Sequence, residues 1–249
     1  FDARNSLGLL LVEKGDAAGA EATFRALVAD FPDRGTARLN LGTALMQRGD
    51  LESAVAVFRE LIARDPTNAE AHYNLGVALK HQDRFAEAEA ALRRAVALDR
   101  NLAEAHFTLG VVLWQTGRAE EGAAAFREAI ARQPAYGEAH YMLGTVLRQL
   151  GRLDEAIAAV RESLRHRPEA ADAHLTLGQL LQQRGDRAGA AAAFAEAARL
   201  NRRKADWQAS QFATSVGIER LERGDAAGAV ERLQEAVRLA PDNAKAHYQ

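Results

Sequence analysis

One phrase returns at a fixed interval. "AEAHYNLG" occupies residues 69–76, "AEAHFTLG" residues 103–110, and "EAHYMLG" residues 138–144. The final glycine belongs to a column, Gly8, Gly42, Gly76, Gly110, Gly144 and Gly178, spaced by 34 residues without a slip. A Leu precedes each of them. Seven residues after each comes a second column of Gly15, Gly49, Asp83, Gly117, Gly151 and Gly185. A small residue follows (Ala20, Ala54, Ala88, Gly122, Ala156, Ala190), then an apolar one (Phe24, Phe58, Leu92, Phe126, Val160, Phe194). Most copies close on Pro32, Pro66, Pro134 or Pro168.

Each column has a physical task. Between the two glycine columns the apolar spacing is helical, as in Leu75, Ala78 and Leu79. A second-column glycine suits the left-handed residue just past a helix end. Asp83 takes that place because Asp tolerates the same backbone region better than most residues. A second helix then runs from about residue 50 to residue 63 in the second copy, and Pro66 stops it. Glycine in the first column, and the small residue of the second helix, let two antiparallel helices approach closely. Such a pair cannot bury its apolar face alone, so it must stack on its neighbours.

This pattern resembles the tetratricopeptide repeat, with its 34-residue period and W-x2-L-G-x2-Y…A-x3-F…A…P signature. The resemblance covers essentially the whole chain. His72, His106, His140 and His174 stand where the signature has Trp, and Leu11, Leu45, Leu79, Leu113, Leu147 and Leu181 where it has Tyr. The resemblance implies an all-α fold, a right-handed superhelical α-solenoid of stacked antiparallel helix pairs. The repeats are read as 1–34, 35–68, 69–102, 103–136, 137–170 and 171–204, in one array spanning 1–249. Gly217 follows Gly178 by 39 residues, so the seventh copy, 210–243, comes five residues late. The excess at about 205–209 is expected to be a lengthened second helix followed by a short linker, with a longer loop as the alternative. "AKAHYQ", 244–249, reads as the start of a truncated eighth repeat. With Phe rather than Met at position 1 and no polar capping element, the sequence reads as a segment of a longer protein.

Composition and motifs remove most other functions. Formal net charge is -2, which creates no strong field for nucleic acid or anionic membrane. No run approaches the roughly 20 apolar residues of a membrane-spanning helix. Cys is absent, so disulfides and thiolate metal sites are excluded, and the compartment stays open. No phosphate loop, dinucleotide fingerprint or nucleophile elbow is present. The carboxylates of "RGDLESA", "LGRLDEA" and "RGDRAGA" sit at helix starts, where they favour the exposed N–H groups. His72, His106, His140, His174 and His247 share one repeat position and invite a metal reading. Corresponding residues on stacked helices lie about 8–10 Å apart, whereas two ligands of one zinc must lie within roughly 4 Å. They are read as packing residues. No catalytic residue, metal or cofactor is expected.

What remains is surface. In the family, the first helices line a concave groove that holds peptides or partner helices, at the second, fifth, sixth, ninth, twelfth and thirteenth places of each repeat. The expected partner-binding residues are Asn40, Glu70, Tyr73, Asn74, Glu104, Phe107, Thr108, Trp114, Glu138, Tyr141, Met142 and Arg148. Tyr73, Phe107 and Tyr141 form an aromatic row near Trp114, suited either to a binding hot spot or to helix support. Glu70, Glu104, Glu138 and Asp172 form an acidic row that also favours helix starts. Over these places seven acids (also Asp2, Glu13 and Glu222) face two bases, Lys80 and Arg148. The Lys/Asn/Asn/Lys/Arg clamp of chaperone-binding members is absent, because the fifth place holds Asn5, Leu39, Tyr73, Phe107, Tyr141 and Leu175. An Asn ladder has at most two rungs, Asn40 and Asn74. The chain is thus expected to be a protein–protein interaction scaffold whose groove binds a protein or peptide with a basic segment beside an apolar anchor. The alternatives are a non-catalytic targeting arm of a larger enzyme and an assembly subunit that associates end to end.

Overall fold

The two glycine columns turn the 34-residue frame into helix pairs. The computed structural model describes residues 1–248; Gln249, the last residue of the expected eighth repeat, lies outside them. The helices are α1 (Asp2–Glu13), α2 (Ala17–Asp30), α3 (Gly35–Gln47), α4 (Leu51–Arg64), α5 (Ala69–His81), α6 (Phe85–Leu98), α7 (Ala103–Gln115), α8 (Ala119–Arg132), α9 (Gly137–Gln149), α10 (Leu153–His166), α11 (Ala171–Arg184), α12 (Arg187–Glu222), α13 (Ala226–Leu239) and α14 (Ala244–Tyr248). No strand occurs among the described residues, so the fold is all-α. The chain forms two compact units, one over Phe1–Ala159 and one from Val160 onward.

In the first unit every helix from α1 to α9 packs on the next, and the first helices α1, α3, α5, α7 and α9 also touch one another in series. They form one continuous row. Within a pair, spacing is set by the first glycine column. A Cβ at Gly8 would lie 2.5 Å from the Phe24 ring, one at Gly76 2.6 Å from Leu92, and one at Gly110 2.8 Å from Phe126. At Gly42 it would overlap the Phe58 ring. Phe24, Phe58 and Phe126 are fully buried, so these rings have nowhere to retreat. The second column has a different reason to exist. Its glycines take φ between 74° and 89°, and Asp83 takes 57°. No atom lies near a Cβ built on Gly49 or Gly117, so backbone conformation alone selects glycine there.

Helix starts and stack edges use the charges. Asp16 and Asp50 cap α2 and α4 by accepting from the N–H of Gly19 and Ser53, at 2.9 and 3.1 Å. In the next repeats an Arg–Glu pair stands at this turn instead. Glu87 accepts from Arg84 and from Arg59 of the preceding pair, and Glu155 accepts from Arg152 and Arg127 in the same arrangement. The Arg84 and Arg152 guanidinium groups hold Glu87 and Glu155 below the usual carboxylate range.

The histidines do have a structural role. Nε2 of His72, His106 and His140 lies 3.2, 3.2 and 3.0 Å from the carbonyl six residues earlier, that of Pro66, Arg100 and Pro134. His174 and His247 repeat this in the second unit, at 2.9 and 2.8 Å from Pro168 and Pro241. A carbonyl only accepts, so Nε2 carries the proton and donates. Buried Arg38 makes the same contact with the Pro32 carbonyl. The ring thus closes the connection between one helix pair and the next.

In the second unit α12 corrects the expectation of a linker at 205–209. It is one unbroken helix of 36 residues, joining the second helix of the sixth repeat to the first helix of the seventh. No Gly or Pro lies between Gly189 and Gly217 to end it. α11 and α13 each pack on α12 but not on each other. The places that would stack are altered to match. The third place holds fully buried Ala37, Ala71, Ala105, Ala139 and Ala173 in earlier repeats, but Phe212, 73% exposed, in the seventh. The tenth place holds fully buried Ala44, Ala78, Val112, Val146 and Leu180, but exposed Glu219 in the seventh. α12 is anchored instead by a buried polar cluster. Ser210 donates to the Ala236 carbonyl at 2.6 Å, and Asn243 Nδ2 donates to Ser210 at 2.8 Å and to Thr214 at 3.1 Å.

These two kinds of glycine predict two sizes of effect. Gly42→Ala forces a methyl into a packed ring and is expected to cost about 1–3 kcal/mol. Gly49→Ala, in open space at positive φ, is expected to cost about 1 kcal/mol. Asp83→Gly removes a left-handed non-glycine residue and is expected to raise the thermal midpoint. Thermal unfolding followed by circular dichroism ranks the three; a Gly42→Ala midpoint at or above that of Gly49→Ala contradicts the packing account.

Candidate interaction surface

The row of first helices in the first unit carries the expected surface residues. Glu70, Glu104 and Glu138 lie in the first turns of α5, α7 and α9 and are exposed. Tyr73, Phe107 and Tyr141 follow three residues later and are half-buried, as are Trp114, Met142 and Arg148. A half-buried aromatic is held by its helix yet presents an edge or face outward.

The structure links some of these groups closely. Phe107 lies between Phe126, at a centroid distance of 5.6 Å, and Tyr136, at 5.0 Å with the rings inclined by 34°. Tyr73 stands close enough to Thr108 for the hydroxyl to favour its ionised form. Trp114 Nε1 donates to Gln149 Oε1 at 2.6 Å, tying α7 to α9. Phe107 and Tyr136 are therefore in ring contact, with Tyr73 within electrostatic reach of Tyr136, while the Trp114 indole N–H is already engaged.

Three expected residues take other roles. Thr108 is only 5% exposed, so it does not line the surface. This corrects its expected place: the sixth position turns inward on α7. The Asn ladder is not an open pair of rungs either. Asn40 Nδ2 donates to Asn5 Oδ1 at 2.8 Å, and Asn74 Nδ2 donates to the Glu70 carbonyl of its own helix at 2.9 Å.

Tyr136 was missed in the sequence because it lies at the end of its repeat, outside the six places considered. It is the N-cap residue of α9, a position held by Asn68 at α5. An aromatic where a capping residue belongs was the available signal.

The cluster sits in a negative local field. Burial, then Glu138, Tyr73 and Glu104, push the Tyr136 phenol up from 10.0 to about 12. Tyr73 is also raised, chiefly by burial, with a further contribution from Glu104. Lys80 lies within electrostatic reach of Glu138, although burial lowers its pKa. Part of the acidic row is therefore balanced from within. Among the described residues no group of three or more His, Cys, Asp or Glu is placed to hold a metal ion, and no helix is long and apolar enough to cross a membrane.

The tetratricopeptide repeat model matches residues 5–69, 43–103, 82–137, 107–171 and 141–210, in overlapping windows. The chain belongs to the tetratricopeptide repeat family. No curated protein matches it. Among solved structures it is similar to MamA, at 27% identity and a TM-score of 0.64, over 67% of this chain and 98% of that one. It also shares the fold of PilF from Pseudomonas aeruginosa, at 21% identity and a TM-score of 0.72, over 80% of this chain and 90% of that one. A third fold relative is YrrB, described as a tetratricopeptide protein with an unusual peptide-binding site. It is 18% identical with a TM-score of 0.56, over 90% of this chain and 96% of that one.

The field around the aromatic cluster has a measurable consequence. Between pH 10 and 12 the unfolded Tyr136 loses its proton while the folded one retains it. Stability contributed by that retained proton is complete below pH 10 and falls as pH rises through about 12. Absorbance titration near 295 nm should show a late phenol step that disappears in Tyr136→Phe. Its persistence in that variant would contradict the assignment.

Proposed function

We propose that this chain is a non-catalytic protein-interaction scaffold that binds a partner segment on the first-helix row of its first unit. One observation carries the reading: a half-buried aromatic cluster, Tyr73, Phe107 and Tyr136, set among the exposed carboxylates of Glu70, Glu104 and Glu138. Large aromatics supply contact area at low entropic cost and dominate binding hot spots. Exposed acids attract and orient a complementary partner more than they hold it. The fitting partner is an extended or helical segment with Lys or Arg beside an apolar anchor. The anchor settles on Tyr73, Phe107, Tyr141 and Tyr136, and the bases meet Glu70, Glu104 and Glu138. Family membership supports the scaffold reading, and the peptide-binding site named for YrrB supports a peptide as the occupant.

Two labelled amphipathic peptides with the same Leu and Phe positions test this, one with Lys and one with Glu between them. The Lys peptide is expected to bind in fluorescence anisotropy. Phe107→Ala should weaken it by about 2 kcal/mol, near 30-fold. Glu104→Gln should weaken it less than tenfold, mainly by slowing association, with that loss shrinking at high salt. Unchanged binding in both variants would move the interaction off this surface.

A further inference from the structure

The second unit carries a cleft larger than the one of about 300 Å³ that Pro32, Arg38, Leu61 and Asp65 line in the first. Where α12 runs straight through the expected boundary, its middle is left uncovered: Asn201–Ala209 is exposed apart from half-buried Asp206. Above it lies a cleft of about 1060 Å³. Its walls are the connection into α11, around Arg167–Asp172, and the end of α13, around Leu239–Asp242. Its floor is α12 from Arg199 to Trp207. A connection between repeats would ordinarily occupy this gap. The volume is slightly above the roughly 300–1,000 Å³ typical of ligand clefts.

The chemistry of the floor is distinct from that of the other repeat ends. The stretch equivalent to Asp65-Pro66-Thr67-Asn68 is Asn201-Arg202-Arg203-Lys204. Three adjacent bases therefore stand where the frame departs from its period. Arg167 and Arg199 also line the cleft. Four acids line it too, Glu169, Asp172, Asp206 and Asp242. Glu169 is taken by Arg203 at 2.7 Å, and Asp172 lies in the first turn of α11, whose N-terminal field it already balances. Arg199 is shared with Glu196 at 2.6 Å. Arg202 and Lys204 are the exposed bases left for a ligand. Beside them Trp207 is 40% exposed.

We propose that this cleft is a second recognition site, which takes an acidic protein segment with one bulky apolar residue. Carboxylates of that segment pair with Arg202 and Lys204, and the apolar residue packs on Trp207. Arg and Trp are the residues most enriched at binding hot spots, and a planar guanidinium pairs with a carboxylate through two parallel bonds. Asp206 on the floor and Asp242 on the wall discriminate against a uniformly acidic ligand and favour one whose acids are spaced by other residues. The site is independent of the first-unit surface and opposite to it in charge preference.

The labelled Glu peptide is the probe, with the Lys peptide and a single-stranded DNA oligonucleotide as competitors. Binding of the Glu peptide is expected to fall at least tenfold in Arg202→Glu/Lys204→Glu and in Trp207→Ala. All three positions are exposed, so circular dichroism should show unchanged helix content. Phe107→Ala should leave this binding unaltered, which separates the site from the first-unit surface. The proposal is overturned if unlabelled Lys peptide displaces the labelled Glu peptide as effectively as unlabelled Glu peptide does. It is also overturned if the charge reversal leaves binding intact, or if the oligonucleotide binds more tightly than the Glu peptide and is lost in the same variant.

Discussion

Packing of one pair's second helix against the next pair's first helix is the contact on which the first unit depends. A single pair has one face closed by its own Gly–Phe contacts and another with nothing to cover it. Ala37, Ala71, Ala105 and Ala139 are fully buried, on first helices that each pack against the second helix of the preceding pair. In a repeat fold stability is close to a sum of such neighbour contacts. The histidine-to-carbonyl bond adds a directional element, closing each connection with one donor and one acceptor.

Withdrawing that contact has visible consequences in α12. An exposed Glu219 at the tenth place would have to be buried if the seventh pair stacked like the others, and an unpaired buried charge is costly. An unbroken helix avoids that cost and satisfies its own backbone through the exposed stretch. The Ser210–Asn243–Thr214 cluster then fixes α12 to α13 and α14 by hydrogen bonds. One local change in the frame thus alters both the packing and the surface offered to other molecules.

Much of this was legible in the sequence, because the 34-residue period reports a steric requirement. The glycine columns announced close approach and left-handed turns, and both are present at Gly8, Gly42 and Asp83. The late arrival of Gly217 marked the irregularity correctly, but length alone does not distinguish a linker from a continuous helix. The absence of Gly and Pro from 190 to 216 was the stronger signal. On the surface, repeat places gave approximate directions only. Thr108 turned inward, and Tyr136 entered the aromatic cluster from a capping position. Side-chain contacts across repeats depend on which rings happen to face one another, and the period does not encode that.

The unbroken α12 is the point at which this account departs furthest from a regular array. Because the chain has no Cys, spin labels can be placed at Ala195→Cys and Ser215→Cys alone, both at exposed positions of α12. Twenty residues of continuous helix separate their backbones by about 30 Å. Pulsed electron-electron resonance should report a single distance distribution near that value, widened by the label arms. A distribution centred near the roughly 8–10 Å spacing of packed antiparallel helices would show the seventh pair stacked on the sixth and would contradict the account.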